Sequence, residues 1–400
     1  MQPENPLAAL PERLLLGPGP SNVHPRVMLA LATPLVGHLD PAFIRLMEHI
    51  KARLRAVFRT ENTFTIPISG TGSAGMEAAL VNVLEPGDRA IVCINGVFGT
   101  RMRDIVGRAG AEAIVVEAPW GQAIDPEDVR RVFAKSGPVK LLAIVHAETS
   151  TGVLQPLEAI SRIAHENGAL VLADTVTSLG GAPVEVDAWG LDIVYSGTQK
   201  CLSCPPGLAP ATFNQAALAV VTRRKSPVRS WYLDITMLMK YWGAERVYHH
   251  TAPISMNYAL AAALELVVEE GLEARWQRHR RNHRALVAGL EAMGLEMAVA
   301  EEIRAPMLNA VRVPDGVDEK RVRGAMLDRM SVEIGAGLGP LAGKIWRIGL
   351  MGHSSRPENV LRCLTALRWA LSEQRNHRPD GTQAATDAFL SVDEEAAAQS

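Results

Sequence analysis

Two residues at strand ends, Asp174 and Lys200, are the groups in this chain whose type and spacing could do covalent chemistry. Ala169-Leu-Val-Leu-Ala runs directly into Asp174, and Ile193-Val-Tyr runs into the turn Ser196-Gly-Thr that precedes Gln199 and Lys200. Short apolar runs bounded by turn formers read as strands buried on both faces, the mark of a parallel sheet. Such strands deliver their last residues to the carboxyl edge of the sheet, where open α/β folds bind ligands. A single loop lysine is ordinarily solvated, and a single strand-end aspartate often caps a turn. Two strands ending in this pair, 26 positions apart, are a less common arrangement. In a cleft, partial burial and nearby positive charge make a lysine amine nucleophilic, and imine formation with a carbonyl is the reaction that suits it.

Pyridoxal 5'-phosphate (PLP) is the usual carbonyl partner of such a lysine. Its pyridine nitrogen needs a carboxylate to stay protonated, so that the ring can take up the electrons of a substrate carbanion. Asp174 supplies one.

The elements that must hold this pair follow in chain order. The N-terminal Gly17-Pro-Gly-Pro-Ser-Asn22 is too rich in turn formers for a regular element. From about Pro41 to Phe58, the residues Phe43, Leu46, Met47, Ile50, Leu54 and Val57 recur at steps of three and four, which predicts one helix. Strand-like Phe64-Thr-Ile-Pro-Ile leads through Ser69-Gly-Thr71-Gly72-Ser73 to a helical stretch from Ala74 to Leu84. Small residues at that junction let a phosphate approach the free N–H groups of a helix start. No Lys-Ser or Lys-Thr follows, so this is not a nucleotide P-loop, and the full dinucleotide pattern is missing. Strand and helix signals then alternate: Ala90–Ile94, Ala113–Val116, Pro126–Phe133 and Leu141–Val145. This alternation predicts an α/β domain with a mostly parallel sheet flanked by helices, its loops gathered on one edge.

Those residues resemble the alanine–glyoxylate aminotransferase branch of the class V aminotransferases, PLP enzymes of fold type I. The resemblance is carried by Leu14-Leu-Leu-Gly-Pro-Gly-Pro-Ser-Asn22, Ser69-Gly-Thr-Gly-Ser73, His146-Ala-Glu-Thr-Ser-Thr-Gly152, the Asp174 and Lys200 strands, Tyr248-His-His-Thr-Ala-Pro253 and Trp346-Arg-Ile-Gly-Leu350. It spans about residues 12 to 372. It implies a sheet of the seven-stranded type in a large domain (23–270), with an N-terminal arm (1–22) and a smaller α/β C-terminal domain (271–375).

The resemblance also implies roles. Lys200 is the catalytic amine and Asp174 the partner of the ring nitrogen. Thr71, Gly72 and Ser73 hold the cofactor phosphate, Phe98 stacks on its ring, Thr149 sits by the ring hydroxyl, and Thr177 and Gln199 complete the cofactor set. Phe98 stands where the family often has tryptophan, and it keeps an aromatic face. Tyr248 and Thr251 reach the phosphate of the neighbouring subunit's cofactor, which makes a homodimer necessary. Arg347 binds the substrate carboxylate through the two parallel hydrogen bonds a guanidinium can offer, with Gly19 beside the substrate. The implied reaction is a ping-pong transfer of an amino group from a small L-amino acid, alanine foremost, to glyoxylate, giving pyruvate and glycine. Serine, aspartate and ureidoglycine are alternative donors.

Other features read more plainly. His38 follows a loop and reads as a surface histidine, although the resemblance puts that region near the site. Glu148, Ser150, His249 and His250 receive no role. Cys201-Leu-Ser-Cys204 lacks a second pair or a histidine at metal spacing, so it reads as loop packing and no metal is expected. A cysteine desulfurase would need a mobile reactive cysteine in the small domain, and Cys363 lies instead in an apolar helical run. A PLP-binding regulator of DNA would need an added basic domain, and none is present.

Composition agrees with a soluble enzyme. A chain of 400 residues, 48% hydrophobic and 21% charged, can bury a large core, and its net charge of −2 leaves no footprint for nucleic acid or an acidic membrane. Four cysteines point to a reducing compartment, and neither a secretory signal nor an apolar run of about 18 residues is seen, so a cytoplasmic location is expected. The stretch from about Asn376 is rich in Asp, Glu, Ala, Gln and Ser and is expected to be disordered.

Overall fold

The computed structural model describes residues 6–374 and 379–398. Its centre is a sheet of seven strands, numbered here in chain order: β1 (Phe64–Ser69), β2 (Arg89–Ile94), β3 (Glu112–Glu117), β4 (Leu141–Val145), β5 (Leu170–Asp174), β6 (Ile193–Tyr195) and β7 (Leu208–Phe213). Their order across the sheet is β1-β7-β6-β5-β4-β2-β3, and β7 alone pairs antiparallel to its neighbours. The expected α/β fold with a mostly parallel sheet is therefore present.

Alternate residues of each central strand enter different cores. Ile91, Cys93, Leu142, Ile144, Val171 and Ala173 join the cluster on one face, whereas Ala90, Val92, Leu141, Ala143, Val145 and Leu172 join the other. A strand with cores on both sides has no polar face, which is why these runs read as continuously apolar. Burying each such Val, Leu or Ile contributes roughly 1.5–3 kcal/mol before conformational entropy is charged against it.

The helix expected near residue 41 is Pro41–Phe58. It starts where it does because the Asp40 side chain accepts from the Ala42 N–H at 2.7 Å and proline occupies the first turn. Its buried face is Phe43, Met47, Ile50, Leu54 and Val57, as the periodicity predicts.

Beyond Gly271, helix Leu272–Ala292 and helices Glu319–Met330 and Pro357–Ser372 cover a small antiparallel sheet in the order Leu308–Arg312, Ile345–Gly349, Gly335–Ala336. We place the division between a large and a small domain at Gly271. The N-terminal segment docks on the second unit: Leu14–Leu15 pairs in parallel with Val332–Glu333, and Leu14 and Leu16 enter its core.

The end of the chain departs from expectation. Residues 375–378 lie outside the described ones, but Thr382–Ala398 is a helix, not a disordered tail. Ala385 and Phe389, four residues apart and so on one face, are buried in the core of the small unit, and the Arg281 guanidinium lies 4.7 Å from the Phe389 ring centroid. The segment comes this close because Gly381 meets Gly289: a Cβ on Gly289 would lie 2.8 Å from the Gly381 carbonyl oxygen. Composition averages over the helix and hides a stripe this narrow. Among the described residues, no helix is long and apolar enough to cross a membrane.

Candidate active site

Strand register brings the chemistry together. Val145 of β4, Asp174 of β5 and Tyr195 of β6 are side by side at the carboxyl edge of the sheet. The Asp174 carboxylate is buried; Tyr195 Oη donates to its Oδ2 at 2.6 Å and the Val176 N–H to its Oδ1 at 2.8 Å. Burial pushes Asp174 up to about 6, against the pull of these two hydrogen bonds. It therefore remains a carboxylate at neutral pH.

Lys200 follows β6 and is 8% exposed. Its Nζ donates to the Pro18 carbonyl of the N-terminal segment. Gly19 permits that approach: its φ is +112°, and a Cβ there would lie 2.7 Å from Lys200 Nζ. Burial first, and the charge of Arg347 second, lower the Lys200 amine to about 8. A much larger share of it is thus neutral and nucleophilic at pH 7 than of a solvated lysine.

Arg347 sits in the middle of strand Ile345–Gly349 and is buried. Its Nε donates to the Ala336 carbonyl at 2.7 Å and its Nη1 to the Thr149 carbonyl at 3.0 Å. Gly335–Ala336 is the edge strand of this sheet, and its Ala336 carbonyl aims the guanidinium. Burial lowers Arg347 to about 10, with Glu148 acting against the shift. Among the described residues no carboxylate lies within ion-pair distance of Arg347, and its Nη2 has no partner.

At the ring end, the Thr149 and Thr177 hydroxyls share a hydrogen bond, and both residues are buried. Gln199 Oε1 is buried without a partner among the described residues. Glu148 Oε1 accepts from the Ser150 N–H and hydroxyl, and its Oε2 accepts from the Phe98 N–H at 3.2 Å. Glu148 therefore fixes the helix start that carries Phe98.

At the other end, β1 runs through Ser69-Gly-Thr71 into helix Gly72–Val83. The Thr71 side chain makes no cap hydrogen bond, which leaves the first N–H groups of that helix to an outside acceptor.

Two predicted residues are not drawn into this cleft by their own chain. Tyr248 is 58% exposed, its ring 5.2 Å from that of His38, and Thr251 is exposed as well. Cys201 and Cys204 are buried, with Cys201 Sγ donating to the Thr177 carbonyl. Sequence reasoning missed Tyr195 as a partner of Asp174, because its apolar strand context hides a hydroxyl that only the β5–β6 register brings to the carboxylate.

A buried amine of lowered pKa near a buried carboxylate is the pair that would hold an aldehyde cofactor of the PLP kind, Lys200 through its amine and Asp174 through its carboxylate, and the fold is that of type I PLP-dependent enzymes. The residues fit that cofactor: a buried carboxylate, an uncapped helix start for an anion and an orphan Gln199 oxygen are all present, and Gly72 at that helix start packs against Val176 and Gly197, beside Asp174 and Gln199 in the chain. Comparison with known proteins specifies the class. The description "Aminotransferase class-V" matches residues 26–345. The chain is 41% identical over 407 residues to the (S)-ureidoglycine–glyoxylate transaminase of Bacillus subtilis, covering 97% of this chain and 98% of the relative. It is 43% identical over 367 residues to the alanine–glyoxylate aminotransferase of Mus musculus, covering 91% and 88%. The crystal structure of an alanine–glyoxylate aminotransferase from Nostoc sp. superposes with a TM-score of 0.90 at 49% identity, covering 93% of this chain and 97% of that one. The chain belongs to the class V aminotransferases. It is a PLP-dependent transaminase whose substrates are amino acids and 2-oxo acids.

Proposed function

We propose that this enzyme moves the amino group of a small L-amino acid, alanine foremost, to glyoxylate, and that it works as a cytoplasmic homodimer. The observation that carries the reading is Arg347, a buried cation without a carboxylate partner among the described residues, close enough to Lys200 to lower its pKa. A cation in that position binds a carboxylate that comes with the substrate, in a fork of hydrogen bonds.

In this reading Thr71, Gly72 and Ser73 hold the phosphate of PLP, Phe98 covers its ring, Thr149 and Thr177 face its ring hydroxyl, and Gln199 adds a further polar contact. When bound, PLP supplies an electron sink for the carbon that loses its proton. Asp174 offers its carboxylate to the ring nitrogen and keeps that nitrogen's proton in place. The Lys200 amine takes the proton from the substrate α-carbon and returns it one step later, which is general acid–base work for a group titrating close to neutrality. Arg347 orients donor and acceptor in turn, with the Gly19 backbone beside them. The Lys200 amine and Gly19 backbone leave little room on that side, which favours small side chains.

Support for the homodimer comes from the surface. Leu35, Leu39, Tyr248, Trp231 and Tyr232 are exposed apolar or aromatic residues; Tyr248 packs against His38, and Trp231 and Tyr232 pack against His249 and His250. Exposed aromatic residues gathered in this way suit a partner surface. Tyr248 and Thr251 within it would reach the phosphate of the partner's cofactor. The four cysteines are free and buried, which fits a reducing compartment.

The test is amino transfer by the purified PLP-loaded protein, with pyruvate and glycine measured after L-alanine and glyoxylate are mixed. Alanine turning over faster than serine or aspartate is the expected result; no transfer to glyoxylate from any donor would sink the reading. A second reading, (S)-ureidoglycine as donor, is favoured by the Bacillus subtilis relative at 41% identity. It wins if ureidoglycine outpaces alanine in the same assay. A desulfurase is disfavoured by Cys363, which is fully buried.

A further inference from the structure

The phosphate end of the site is short of positive charge. Ser69-Gly-Thr-Gly-Ser73 contains no cationic side chain. A phosphate ester carries about −1.5 to −2 at neutral pH, and a helix start offers only about half a charge in return.

Arg101 stands next to that loop. It lies on helix Val97–Arg108, one turn beyond Phe98, with its guanidinium 5.0 Å from the Phe98 ring centroid and its Nη1 donating to Ser73 Oγ at 3.3 Å. The helix start is held: the Val97 N–H donates to Ser150 Oγ at 3.0 Å and the Phe98 N–H to Glu148 Oε2. Among the described residues no carboxylate lies within ion-pair distance of Arg101. Two acids, Glu77 and Asp104, line the groove it shares with Ser73, but both act on Arg108, which Asp104 holds at 2.7 Å. The Arg101 charge also reaches Tyr195, the phenol bonded to Asp174, so it acts within the field of the site.

We propose that Arg101 is the cation of the phosphate site, binding the cofactor phosphate together with Ser73 and the first turn of helix Gly72–Val83 while its guanidinium packs against the Phe98 ring. This rests on the assignment of Thr71, Gly72 and Ser73 made above. It adds the one full charge that the loop lacks.

The experiment compares binding of PLP with binding of pyridoxal, which has no phosphate, to the full-length protein freed of cofactor, followed by quenching of tryptophan fluorescence. The wild type should bind PLP the more tightly. Arg101→Gln should weaken PLP about tenfold or more and leave pyridoxal within about twofold, because a charge-assisted hydrogen bond is lost only where there is a phosphate to accept it. Arg101→Lys should recover part of the loss. Equal weakening of both ligands, or no weakening of either, would overturn the proposal. Ser73→Ala separates the two layers: if it erodes the preference for PLP and Arg101→Gln does not, the loop assignment stands and that of Arg101 falls. A wild type without preference between the two ligands overturns both.

Discussion

The two ends of the proposed site are built on opposite principles. At the ring end, Asp174, Lys200 and Arg347 are all buried, come from three separate elements, and have ionisation altered by burial before any other cause. At the phosphate end, Thr71 and Ser73 belong to one local turn, and the cation that reaches it, Arg101, is exposed. Charge in a desolvated site acts strongly on its neighbours, whereas charge in water is screened. In the proposed reading, chemistry falls to the first end and anchoring to the second.

Substitutions can break this contrast. Lys200→Ala should cost most, on the order of 10²–10⁴-fold or more in turnover, since it removes both the nucleophile and the proton carrier. The visible absorbance of bound PLP should vanish too, while circular dichroism stays native. Retention of normal turnover would refute the role. Arg347→Ala removes charge-assisted hydrogen bonds of about 1.5–3 kcal/mol, so kcat/KM for alanine should fall roughly 10- to 150-fold, mainly through KM. An unchanged KM would mean that the carboxylate binds elsewhere.

A pH series sharpens the comparison. Lys200 is protonated, and unable to attack a carbonyl, below its pKa of about 8. Capture of PLP by the cofactor-free protein should therefore accelerate as pH rises from 6.5, with a midpoint near 8, and level off about one pH unit above it, in stopped-flow absorbance. Because Arg347 is one cause of the lowered value, Arg347→Ala should move that midpoint to higher pH; a midpoint that stays put would show the two groups to be uncoupled. High salt should weaken PLP binding through the phosphate end while moving this midpoint little.

The smallest effect on turnover is expected from Phe389→Ala in the C-terminal helix, whose side chain serves the core of the small unit. It should lower unfolding stability by about 3 kcal/mol in denaturant titrations and leave KM unchanged. No loss of stability would mean that this helix does not dock in solution.

The same contrast governs what could be read without coordinates. The strand–turn–helix junction at Thr71, Gly72 and Ser73 is legible because it is local: strand, small residues and helix follow one another in sequence. Asp174 and Lys200 were legible because each ends an apolar run. Tyr195 and Arg101 were not, since a strand tyrosine and a helix arginine look ordinary until register and packing bring one to Asp174 and the other to Ser73. The C-terminal helix was misread for a related reason. Its apolar stripe is only Ala385 and Phe389, and nothing in composition tells that a groove beside Gly289 awaits them.

Sequence alone thus determined six of the seven central strands and the residues at their ends, because hydrophobic periodicity and turn chemistry act over a few positions; the antiparallel β7, Leu208–Phe213, was not among them. Tertiary structure decided which of those ends share a cleft. It set Lys200 near pKa 8 and Asp174 near 6, since desolvation and the approach of Arg347 depend on chain segments far apart in sequence.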